Sequence, residues 1–213
     1  MAKMLMLLCV ALLFQTDSGS KPASGPAVNT PRYTVDGRME FPANYREWVY
    51  LSTGVNMDYN PSAMAMNHTM FDNVFVNPEA YKVFKETGKW PDKTMMALEG
   101  RVGESKGSIN KAGEYQSTQL MGRSVHVKDV KRFAGGWAFF GFDDDGKPAE
   151  MIPTKASCYS CHEQHAAVDT TFVQFYPVAL EIAKSKKTLS AAYLKEVEDS
   201  KPKVDKGEKK KDY

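Results

Sequence analysis

The sequence predicts an α+β fold, mainly an antiparallel β-sheet with flanking helices, and three observations predict it. Segments rich in β-branched and aromatic residues run from Thr69 to Val76, Thr94 to Val102, Tyr115 to Val127 and Gly136 to Asp143. Two others, Pro42 to Tyr50 and Pro78 to Thr87, open on proline and space their apolar residues for a helix. Near the C-terminus a third helix opens at the run Cys158-Tyr159-Ser160-Cys161-His162. Consecutive strands with a few helices at the ends make an α+β domain and not a helical bundle.

Residues 1–20 read as an export signal: Lys3 is followed by the apolar run Met4 to Phe14 and then by the small residues Ser18-Gly19-Ser20. That run is shorter than the ~20 residues of a membrane-spanning helix. Residues 21–38, rich in Ser, Pro, Gly and Thr, form a flexible lead-in. In the first helix Tyr45, Trp48 and Val49 are the apolar residues, and residues 53–67, rich in Asn, Met and Pro, are loop. Asn77-Pro78 breaks the first strand and starts the next helix, whose apolar face carries Tyr81 and Phe84 and whose stop is Gly88. Gly103 to Gly113 is a turn-rich loop. Asp143-Asp144-Asp145-Gly146 is a turn, since it lacks the spacing and closing glutamate of a calcium loop. Thr171 to Ala183 returns apolar mass with Phe172, Phe175 and Tyr176. One domain therefore occupies residues 39–185, followed by a Lys-rich, largely disordered tail over 186–213. With 28 basic and 26 acidic residues in 213, a nucleic-acid role has no electrostatic support.

Cys158 to His162 carries the chemistry. Thiols at Cys158 and Cys161 have the spacing to add across the two vinyl groups of haem, and His162 can then ligate the iron. The chain has three cysteines, and Cys9 leaves with the leader, so attachment of one haem c uses both that remain. A thioredoxin-like redox pair would not need the histidine. A zinc site would need further ligands, which His165, His126 or His68 supply only in part. Across the haem, a methionine sulfur from Met95, Met96, Met121 or Met151 would make a six-coordinate electron-transfer cytochrome. Lys131 and Arg132 are candidate partners of the haem propionates.

Several separated segments resemble the cytochrome P-460 family: Asn44 to Val49, Val74 to Tyr81, Val127 to Asp129 with Lys131 to Phe133, Trp137 to Phe139, and Cys158 to His162 followed by Phe172 and Phe175 to Pro177. The resemblance spans roughly residues 40–180. It implies an antiparallel sheet with flanking helices, a homodimer and a periplasmic location. It also implies two branches. In one, a strand lysine is cross-linked to the porphyrin and the iron oxidises hydroxylamine. In the other, cytochrome c′-beta, the link is absent, and a five-coordinate iron with an apolar distal face binds nitric oxide or carbon monoxide.

Set on the family pattern, the cross-linking position falls on Leu98, followed by Glu99, and Leu98 has no nucleophilic nitrogen. Lys93 lies five residues away, about 16 Å along a strand and with opposite side-chain parity. The arginine that the enzymes hold near the haem falls on Asp72. Leu98 is thus the distal cap, with Met96 and Asp72 as further distal candidates. The expectation is a periplasmic mono-haem cytochrome with an apolar, vacant distal site for nitric oxide or a related diatomic, with a redox partner protein as a further candidate partner. Hydroxylamine or nitrogen-oxide oxidation, with Asp72 or Glu99 as base, is the enzymatic alternative.

Overall fold

A computed structural model describes residues 29–57, 59, 68–143 and 145–201. Five strands form one antiparallel sheet in the order of the chain: β1 (Val49–Val55), β2 (Met70–Val76), β3 (Met95–Glu104), β4 (Tyr115–Lys128) and β5 (Trp137–Phe142). Helix α1 (Pro78–Thr87) follows β2, and α2 (Ser157–His165), α3 (Pro177–Lys186) and α4 (Ala191–Asp199) follow β5. The α+β fold with its haem-attachment segment on a helix near the C-terminus is what the sequence predicts.

Both faces of the sheet are covered, so its alternating side chains build two cores. On one face Phe75, Met95, Ala97, Val125, Val127 and Phe140 pack under the N-terminal segment, which contributes Met39, Tyr45 and Trp48. On the other, Val76, Met96 and Trp137 pack against α1, α3 and the chain around Ala167 to Val173. Phe84 of α1 stacks on Trp90 at 3.8 Å between ring centroids. Gly88 ends α1 with φ +70°, and a Cβ there would lie 2.7 Å from Lys186 Cβ and Thr188 Oγ1 at the end of α3. Gly88→Ala is expected to cost about 2 kcal/mol, from left-handed backbone strain plus displaced α3 contacts, read as a lower urea midpoint.

Three sequence expectations are corrected. The first helix is only a 3-10 turn at Tyr45–Glu47, and the chain then enters β1, where loop was expected from residue 53. A bulge between Tyr50 and Ser52 breaks the two-residue alternation that would have marked β1 as a strand. Residues 29–38, placed in a flexible lead-in, are tied down: Tyr33 bridges Met39, and Asn29 accepts hydrogen bonds from Asn44 and Trp48 side chains, both 2.9 Å. Part of the tail called largely disordered is helix α4, capped by Ser190, with Leu189 and Tyr193 packed on the second core. The export signal over 1–20 and the tail beyond Lys201 lie outside the described residues.

Candidate haem site

Helix α2 presents Cys158 and Cys161 one turn apart, both partly buried. Tyr159, between them, fixes the helix to the sheet. Its hydroxyl donates to Ile152 O at 2.9 Å and accepts from the Phe139 amide at 3.3 Å, and its ring stands edge-on to Phe139. His162 donates from Nδ1 to the Thr170 carbonyl at 2.7 Å, so the proton sits on Nδ1 and Nε2 carries the free lone pair. Burial lowers the His162 pKa, partly opposed by that carbonyl, which favours a neutral, ligating imidazole. The ring stacks on Phe172 at 4.0 Å.

These groups open onto a cavity of about 360 Å³ between α2, the sheet and the chain around Phe172. The cavity is lined by Cys158 and His162 and also by Leu98, Met96 and Asp72, so the strand residues singled out in the sequence meet the haem motif in one place. Cross-strand register explains why. Val74, Leu98 and Ser124 lie side by side, Val76, Met96 and His126 form the next row, and Asp72 pairs with Gly100 on the other side. Leu98 is 37% exposed, which leaves it facing open cavity and not core. The donor set fits haem c: two thiols at one-turn spacing, and a histidine whose second nitrogen is already engaged.

The remaining candidates are elsewhere. His165 pairs with Glu196 of α4 at 3.0 Å, and His68 is exposed ahead of β2. Met95 is core on the opposite face, while Met121 and Met151 are about two-fifths exposed and do not line the cavity. Lys93 pairs with Asp129 at 2.5 Å, and no lysine is among the described residues that line the cavity. Arg132 lies over Tyr33 at 3.9 Å, holding the N-terminal segment on the far side of the sheet. Sequence reasoning missed Met57, which lines the cavity just beyond β1, and Ser52 and Gly54 within it. It also did not place His126 there. The alternation of Ser124, His126 and Lys128 on β4 was the available signal.

Glu99 faces away from the cavity, as strand parity requires beside Leu98. It is fully buried against the N-terminal layer, where Tyr45, Arg46 and Arg101 donate to it, Arg101 Nε at 2.7 Å. Burial alone would raise its pKa; the hydrogen bonds from Arg101, Arg46 and Tyr45 overcome this and hold it at about 2. This removes Glu99 as a distal base.

Among the described residues no helix is long and apolar enough to cross a membrane. No curated protein matches the chain. The family model described as Cytochrome P460 matches residues 42–173, well over half of the chain, from the 3-10 turn through the five strands to Phe172 beside His162. Proteins of this family carry covalently attached haem c, which the Cys-x-x-Cys-His helix and its cavity accommodate. The chain belongs to the cytochrome P-460 family.

Proposed function

We propose that this cytochrome binds nitric oxide or a related small diatomic at an open distal position. In this reading Cys158 and Cys161 hold the haem through thioethers and His162 supplies the proximal nitrogen. Haem, when bound, supplies an iron with a sixth position for the ligand. The observation that carries the reading is Leu98 in the cavity wall, beside Val74 and Ser124. A leucine there excludes water and charged ligands without donating or accepting a proton, which suits a neutral diatomic. Met96 and Phe139 extend the apolar wall. Asp72 stands one row away, where it can influence ligand entry.

Titration of the dithionite-reduced protein with nitric oxide tests this. A stoichiometric spectral change with little turnover of hydroxylamine supports ligand binding. Sustained hydroxylamine oxidation that falls in Asp72→Asn would establish the enzymatic alternative, with Asp72 as base. Leu98→Ala is expected to speed ligand association several-fold and to leave the stability of the haem-free chain nearly unchanged, because Leu98 faces the cavity and not the packed core. Stopped-flow mixing measures the first, and urea unfolding the second. The six-coordinate alternative has its own support, since Met57 and Met96 are among the residues that line the cavity. Residues 1–20 as an export signal complete the proposal, with a periplasmic homodimer served by a redox partner protein, as the family resemblance implies.

A further inference from the structure

The carbonyl that receives the His162 Nδ1 proton belongs to a loop held by side chains from outside it, at three consecutive residues. Lys128 at the end of β4 pairs with Asp169 at 3.1 Å. His126, two residues earlier on the same strand face, shares a hydrogen bond between its Nε2 and Thr170 Oγ1 at 3.3 Å. Trp90 donates from its indole nitrogen to Thr171 Oγ1 at 2.9 Å. Asp169, the first of the three, has φ +52°, a left-handed conformation that a non-glycine residue keeps only when its surroundings impose it.

His126 is the central one of these ties and is itself immobilised. It is buried, its ring stacks on Phe139 at 3.9 Å with 9° between planes, and it packs against Trp137 at 4.4 Å. Its ring also meets that of His162 edge-on at 5.1 Å. One side chain of the sheet therefore reaches both the proximal histidine and the residue whose carbonyl orients it.

We propose that His126 is a positioning residue for the proximal ligand. It acts through Thr170, holding the carbonyl on His162 Nδ1 and so setting how strongly His162 donates to iron. The physical reason is that a hydrogen bond from Nδ1 gives the imidazole partial anionic character and raises its basicity as a ligand. A looser Thr170 lets that bond lengthen. The proposal rests on His162 being the proximal ligand.

The test is resonance Raman spectroscopy of the reduced haem-loaded protein, with the reduction potential as a second readout. His126→Phe keeps the ring stack and deletes the nitrogen. Thr170→Val deletes only the hydroxyl and leaves the carbonyl, so it also serves if His126→Phe does not fold. Both are expected to move the iron–histidine stretch to lower frequency and the potential upward, and His126→Gln, which keeps a nitrogen near the same point, is expected to restore much of each. An unmoved stretch in Thr170→Val, with haem attached, would overturn the positioning role. Persistence of the stretch in His162→Ala would instead overturn the ligand assignment on which the role rests.

Discussion

Replacing Cys158 and Cys161 together by alanine is expected to abolish covalent haem. The intact mass under denaturing conditions should fall to that of the polypeptide, and the washed protein should give no haemochrome. Each single replacement should keep one thioether and a reduced yield. The reason is geometric: one turn of α2 separates the two thiols, and the third cysteine of the sequence, Cys9, lies far outside the motif. The loss should spread to stability, because a group that binds only the folded chain stabilises it. The wall of Leu98, Val74, Met96 and Phe139 would then face water across the cavity. A double variant that kept covalent haem would contradict the attachment site.

Glu99→Ala is expected to destabilise the fold by about 3 kcal/mol without altering the haem spectrum. Removing one partner of a buried pair typically costs about 3–5 kcal/mol, because the other charge is stranded. Here the lower end applies. Arg46 is half exposed and can return to water, whereas Arg101 is mostly buried and keeps only the carbonyls of Ser117 and Thr118, each 3.1 Å away. The pH dependence has a definite sign. Glu99 is depressed from 4.5 to about 2 in the folded chain, so its contribution is complete above pH 4.5 and is lost as pH falls towards 2. At about 1.4 kcal/mol per pH unit this is also about 3 kcal/mol. Urea midpoints measured between pH 6 and pH 2.5 should fall steeply in the parent and less in Glu99→Ala. Equal slopes in the two proteins would show that Glu99 does not carry the acid sensitivity.

What was legible in the sequence was what is local or periodic. Strands β2 to β5 and helix α1 follow from alternation, from Pro78 at the first helical position and from Gly88 at the stop. The haem motif is contiguous, and the two-residue period of β2 and β3 is what brings Asp72, Met96 and Leu98 to one wall. The same period turns Glu99 to the other core, a consequence available from parity that the family pattern obscured. Strand β1 was hidden because its bulge and Gly54 interrupt the pattern. Helix α4 was hidden because lysine-rich composition outweighed a Ser190 cap and the apolar pair Leu189 and Tyr193. The face of β4 that carries His126 was readable from the alternation, but its contact with Thr170 was not, since that residue lies 44 positions away and depends on how the loop returns over β4.

The central claim is a haem ligated by His162 alone, with its other face open toward Leu98. The absorption spectrum of the dithionite-reduced protein, before any ligand is added, tests it most directly. A broad high-spin Soret band, without the red-shifted feature of a lysine cross-link, is the predicted result. A sharp low-spin spectrum, lost when Met57 or Met96 is replaced by leucine, would contradict it and make the protein a six-coordinate electron carrier.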